Sequence, residues 1–340
     1  MRNRIPNIFC ALFAFGSLAT AGTAFAADVK ILSIADDVTS EFYQDFNQQF
    51  AAYWKEKTGD VVTVSQSPAN SSEPAQSILD GLQADVVTVN RTSDIDALHT
   101  VGKLIPANWA ARLPNKSVPY TSTIVFLVRA GNPKNIRNWD DLVRTNISIV
   151  VPNPKTSDNG RYSYLAAWGY ALKKSAGDEK QARDFVKRLF ANAPILDTGG
   201  RRATTTFVNY RIGDVLLTFE NEAALVQKQF PTNHLQVVLP PVSILAEKPV
   251  VWVDYQVRRH HTEAVSRAYL EYLYSDAGQE LAAQHFFRPK SEAILTRYST
   301  RYKPVELLTV NEIAGGWEKA QKVHFADGGI FDQIHQHHKT

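Results

Sequence analysis

Apolar and polar positions follow two rhythms along the chain. Phe42, Phe46, Phe50 and Trp54 recur every fourth residue, a spacing that predicts an amphipathic helix, and Gly59 supplies its stop. A β-rich run at 28–35 precedes that helix, and a second apolar-polar run at 60–67 follows it. A short helix at 73–84, with Pro74 near its first turn, then leads into a third strand at 85–89. This βαβαβ order with short connections argues a doubly wound α/β unit built on a mainly parallel sheet.

A long apolar strand at 120–131 leaves that unit, and a second series begins. It reads as a strand at 147–151, helices at 162–174 and 178–193, a strand at 194–199, a helix at 203–213 and a strand at 214–219. Apolar runs at 235–240 and 248–257, two helices at 262–275 and 276–287, a short segment at 307–313 and an aromatic tail complete the chain. Two such series joined by extended strands, with no long Gly/Ser linker, predict two lobes and a cleft between them.

Composition narrows the class. Apolar residues make up 44% and charged residues 21% of the 340-residue chain, which is ordinary for a globular protein. Residues 1–26 read as a secretory signal peptide: Arg2 and Arg4, then an apolar stretch, then Ala24-Phe25-Ala26 as a small-x-small cleavage site. Cleavage there removes Cys10, the only cysteine, and Met1, the only methionine, so the remaining chain has neither thiol nor disulfide chemistry. Losing Arg2 and Arg4 takes the formal charge from +3 to +1, which supplies no field for nucleic acid or an acidic membrane.

Four polar turns stand between strands and helices, at 36–40, 67–72, 152–162 and 197–204. Their Ser, Thr, Asp and Asn are the usual helix N-caps. Several helix starts facing one cleft would also make an anion site, because each carries free N–H groups and a partial positive charge.

The stretches PYTSTIVFLVR, VVPNPK, YLAAWGYAL, TFVNYRIGDVLL, ENEA, YLEYLYSDAGQE, FFRPK and GGWEKAQKVHFADGG give the chain a resemblance to the periplasmic sulfate-binding proteins of ABC-type importers. It covers nearly all of the sequence after residue 26. The resemblance implies the two-lobed periplasmic binding protein fold of type II, each lobe a mixed, mainly parallel sheet flanked by helices. It implies a dehydrated anion held in the cleft by backbone N–H groups, a serine hydroxyl and an indole N–H, with no metal and no cofactor. Residues 28–116 and 225–340 are expected to form lobe one, and 117–224 lobe two.

Carried over residue by residue, the family's aspartate after the first strand falls on Asp37, with Val38 where proline is usual. The loop His-Gly-Gly-Ser-Gly-Lys falls on residues 68–73; Ser71 is kept, the glycines are lost, and the lysine becomes Glu73. Ser-Ser-Gly-Gly falls on residues 156–159, which keeps Ser157 and replaces two glycines by Asp158 and Asn159. Ser-Gly-Ala-Arg falls on residues 198–201, with Gly200 as the backbone donor and Thr198 and Arg201 supporting the turn. The indole position is Phe219, which has no N–H to give. The resemblance thus implies a binding site of Asp37, Ser71, Ser157, Asp158, Asn159, Gly200 and Phe219. The carboxylates of Asp158 and Glu73, if they face the ligand, repel a dianion; if they point to solvent, sulfate binds through N–H groups as usual.

The expected function is that of a monomeric periplasmic solute-binding protein delivering sulfate or thiosulfate to an inner-membrane ABC permease. An organosulfur anion, or a ligand sensor presenting to a receptor, is the alternative. No Gly-x-Ser-x-Gly, Gly-x-x-x-x-Gly-Lys-Ser/Thr or His-Glu-x-x-His is present, so an enzyme is not expected. His260-His261 and the histidines at 335–338 lack the spacing of a zinc site. Trp317, His324 and Phe325 are expected to pack on the surface of a lobe.

Overall fold

The computed structural model describes residues 27–67 and 74–335. The expected signal peptide, Ser71 and Glu73 lie outside the described residues.

Two sheets organise the chain. The first has strand order β12-β3-β1-β2, from β1 (Asp28–Ile34), β2 (Val61–Gln66), β3 (Val86–Thr88) and β12 (Val250–Trp252). β1 runs parallel to β2 and β3, and β12 closes the edge antiparallel to β3. The second has order β7-β6-β8-β5-β9, from β5 (Ile124–Val128), β6 (Ile149–Pro152), β7 (Ile195–Asp197), β8 (Val215–Phe219) and β9 (Gln236–Val238). β6 runs parallel to β7 and β8, while β5 is antiparallel to both β8 and β9. In each sheet the order reverses beside one strand, β1 in the first and β6 in the second. Ligands of doubly wound sheets sit at that reversal, outside the carboxyl ends of the strands.

Both sheets are covered on both faces, so their strands are near-continuous apolar runs. Alternate residues supply the two faces. Val86 and Val250 join the core under helix Ser40–Thr58, whereas Val87 and Val251 join the opposite core with Ile95 and Leu98. Ile124, Phe126 and Val128 face one side of the second sheet, and Val125 and Leu127 the other. Phe42, Phe46 and Phe50 are buried as their spacing predicts, and Trp54 packs at the margin of the same core.

The apolar strand expected at 120–131 breaks at Thr123 into β4 (Tyr120–Ser122) and β5. β4 pairs with β11 (Ala246–Glu247) and β13 (Arg288–Pro289), and β5 belongs to the second sheet, so this break is the first crossing between lobes. The chain returns through β10 (Val242–Ile244) and β11, and a third passage leads from β13 to β14 (Glu306–Leu308), which pairs with β10.

Two features differ from the expected lobe limits at 117–224. Strand β9 joins the second sheet, and the helical segments from Val310 to His335 pack into the core of the second lobe through Ile313, Trp317, Phe325, Phe331 and Ile334. These apolar side chains need an apolar face, and helix Asp158–Lys174 offers one: the Tyr162 and Trp317 rings stand edge to face at 4.9 Å. Trp317, His324 and Phe325 are therefore interior residues. The run at 248–257 is strand only at β12, then turns into helix Asp254–His260.

Candidate functional site

A cleft of about 520 Å³ opens where the carboxyl ends of the strands in the two lobes meet. Its lining includes Asp36, Val38, Glu41 and Asn90 from the first lobe and Ser157, Asp158, Asn159, Thr198, Gly200, Arg201 and Phe219 from the second. Sequence reasoning had singled out each of the seven second-lobe residues named here. Asp37 opens the short 3₁₀ turn Asp37–Thr39 that leads into helix Ser40–Thr58, so the expected aspartate position is at a helix entrance beside the cleft.

The turn at 152–160 is built by local bonding. Asn153 Oδ1 accepts from Lys155 N at 2.9 Å, and Ser157 Oγ caps the helix by accepting from Gly160 N at 3.5 Å. Gly160 is required by contact: a Cβ there would lie 2.5 Å from Pro152 O and 2.8 Å from Asn153 C. Thr156 Oγ1 donates to Thr198 O at 3.1 Å and so ties this turn to the next. Helix Gly200–Val208 starts from Gly199 with no side-chain cap, which leaves its first backbone donors directed out of the helix start. A Cβ on Gly200 would stand 3.1 Å from both Asn159 Nδ2 and Val38 Cγ1.

Asp158 does not point to solvent. It is 3% exposed, and Oδ1 receives Arg161 Nη1 and Arg91 Nε, each at 2.9 Å, while Oδ2 accepts from Asn90 Nδ2 at 3.3 Å. Two guanidinium groups thus offset the charge that sequence reasoning set against a bound dianion. Asn159 turns inward, donating to Thr218 Oγ1 at 3.0 Å and accepting from Ser163 Oγ at 3.3 Å. What Asn159 presents to the cleft is its place in the first turn of the helix. Phe219 ends β8 with its ring against Tyr162, centroids 5.6 Å apart.

Sequence reasoning missed Glu41, Asn90, Arg91, Glu222 and Lys248 around the cleft. Lys248, fully buried, donates to Asp36 Oδ2 at 3.1 Å and to Asn90 Oδ1, and its Nζ lies 4.4 Å from the Phe219 ring centroid. Tyr162 Oη donates to Asn90 O at 2.7 Å. Burial, reinforced by the Asp158 carboxylate, holds that phenol well above its ordinary pKa, so it stays a donor. Arg201 reaches across the cleft to Glu41, with Nη1 2.9 Å from Oε1, and its Nε lies 3.3 Å from the buried Glu222. Thr204 Oγ1 also donates to Glu222, at 2.9 Å. The available signals were Asn90-Arg91 directly after a strand and a lysine inside the apolar stretch at 246–253.

Among the described residues no group of three or more His, Cys, Asp and Glu is placed to hold a metal ion. His260 Nδ1 instead meets Asp85 Oδ1 at 2.8 Å, and Thr262 Oγ1 donates to the same oxygen at 2.7 Å. Nor is any described helix long and apolar enough to cross a membrane.

Comparison with known proteins adds a consistent set of likenesses. A family model described as bacterial extracellular solute-binding protein matches residues 38–288. A thiosulfate-binding protein of Pseudomonas aeruginosa is 48% identical over 97% of this chain and 99% of its own length. A sulfate-binding protein of Salmonella typhimurium is 47% identical over 94% of this chain and 97% of its own. Among solved structures, the sulfate-binding protein SubI from Mycobacterium tuberculosis superposes with a TM-score of 0.75 at 29% identity, covering 86% of this chain and 98% of SubI.

Proposed function

The chain belongs to the bacterial extracellular solute-binding protein family, and from that premise we propose that it captures sulfate or thiosulfate between its lobes. It then hands the anion, as a periplasmic monomer, to an inner-membrane ABC-type permease. One observation carries this reading: helix entrances from both lobes converge on one cleft. The turn before Ser40–Thr58 comes from the first lobe, and the starts of Asp158–Lys174 and Gly200–Val208 from the second. The names of the relatives from Pseudomonas and Salmonella agree with it and lend nothing to the organosulfur or sensor alternatives.

Helix starts suit a small dianion. Their N–H groups have no acceptor within the helix, and each start carries roughly half a positive charge. They replace the water shell of the anion without bringing a mobile counter-ion into the cleft. In this reading Gly200 and the start of the helix at 158–159 supply main-chain donors and Ser157 a hydroxyl. Asp37 and Ser71 are the residues that the sequence match assigns to the first lobe's share of the site. Phe219 closes the floor by apolar contact, a substitution for an indole donor that the remaining N–H groups must cover.

The test is titration calorimetry of the purified protein with sulfate and thiosulfate, with molybdate, phosphate and an alkyl sulfonate as competitors. The expected result is one site for sulfate or thiosulfate at micromolar affinity or tighter, about −8 kcal/mol or more favourable. Heat from the sulfonate alone would overturn the proposal.

A further inference from the structure

The Asp158 carboxylate belongs to a chain of contacts that no binding role explains. Asp36 follows β1, and Asn90 and Arg91 follow β3, so all three belong to the first lobe. Lys248 follows the crossing strand β11, and Asp158 and Arg161 open a helix of the second lobe. The contacts run without a gap from Asp36 to Lys248, to Asn90, to Asp158 and to Arg91, which also pairs with Asp94 at 3.0 Å. Arg91 is 8% exposed, Asp36 and Asp158 are 3%, and Lys248 is 0%.

We infer that the Asp158 carboxylate is a positioning group, which through Arg91 and Asn90 ties the second lobe to the first and biases the cleft toward its closed form. The physical reason is the asymmetry of buried ion pairs. Removing one member strands the other in a poorly solvated place and is strongly destabilising. Opening the cleft gives up the Arg91–Asp158 pair and the Asn90–Asp158 hydrogen bond in exchange for hydration, and leaves Asp158 with Arg161 alone. The bias toward closure is the surplus of those contacts over the hydration regained. Lys248 keeps Asn90 and Asp36 oriented from the crossing segment and so couples the hinge to the same network. The neighbouring main-chain groups and the Ser157 hydroxyl, not the Asp158 carboxylate, are then left to read the anion. The inference rests on the proposed anion reading for its kinetic arm, and its structural arm is independent of it.

The kinetic arm compares the wild type, Arg91→Leu, Asp158→Asn, the double variant and Arg91→Lys by stopped-flow binding of sulfate and of thiosulfate. Circular dichroism establishes that each variant is folded. Arg91→Leu and Asp158→Asn are each expected to raise the dissociation rate about tenfold with the association rate within about twofold. The double variant should be no worse than the worse single one, as coupled residues require, and Arg91→Lys should recover part of the loss. Unchanged or slower dissociation in Asp158→Asn, or effects that multiply in the double variant, would overturn the inference.

The structural arm measures the radius of gyration of the ligand-free proteins by small-angle scattering. A larger radius is expected for both single variants, and equality with wild type overturns the inference. If the wild type binds neither anion, the proposed function fails while the scattering comparison still decides this point.

Discussion

At the scale of single residues, what was readable in the sequence was whatever acts locally. Ser157 at the mouth of a helix reads as a cap because the group it serves, Gly160 N, is three residues away. The pairing of Asp158 with Arg91 spans 67 residues between two lobes, and no periodicity reports it. The carboxylate alone looked repulsive; its two guanidinium partners became visible only in three dimensions. Gly160 gives a direct test of the local packing. In Gly160→Ala the new methyl meets backbone at 2.5 Å, so the variant should lose about 1–3 kcal/mol of stability, measured by urea unfolding. His324 gives a test by pH. Burial, with a smaller contribution from Lys319, pushes its pKa down to about 4 from the ordinary 6.5. The unfolded chain therefore binds this proton first, and the stability it contributes is complete above pH 6.5 and falls as pH drops toward 4. Replacing His324 by Gln should flatten the loss of stability between pH 6.5 and 4, by on the order of 3 kcal/mol at the acid end. An unchanged pH profile would contradict the assignment.

At the scale of elements, periodicity located most helices and strands and failed where one run served two structures. The apolar stretch at 120–131 breaks at Thr123, whose Oγ1 donates to Ile244 O at 2.8 Å on a returning strand, and the two halves enter different sheets. Short apolar runs do not distinguish strand from helix by pattern alone, which is why 254–257 read as strand and folds as the start of helix Asp254–His260. The helix entrances were legible as capping turns, while their convergence on one cleft required both sheets to be in place. Two variants test the entrances. Ser157→Ala should cost about 1 kcal/mol of stability through loss of the cap and weaken anion binding about tenfold or more, as seen by urea unfolding and calorimetry. Gly200→Ala places a methyl 3.1 Å from Val38 Cγ1 across the cleft. It should leave stability within about 1 kcal/mol of wild type while weakening binding, because the contact tightens only as the lobes close. Equal loss in both measurements would assign Gly200 to packing alone.

At the scale of the whole molecule, the two-lobed plan was legible from two α/β series joined by extended strands. The exact division was not, because the chain crosses between lobes three times and its last helices cover the second lobe. That covering is what buries Trp317, His324 and Phe325, residues that a linear reading leaves at the surface. The crossing strands bring together charges from distant parts of the chain, and the cleft is lined by carboxylates that have cationic partners: Asp36 with Lys248, Asp158 with Arg91 and Arg161, and Glu41 with Arg201. Self-neutralised walls and outward-facing helix starts make a site in which main-chain dipoles meet the guest. The measurement that tests this most directly is calorimetric titration of sulfate and thiosulfate into chelator-treated protein. Saturable binding of either anion at one site, unaltered by the chelator, is the predicted result; absence of binding to both, or binding that returns only when a divalent cation is restored, would contradict it.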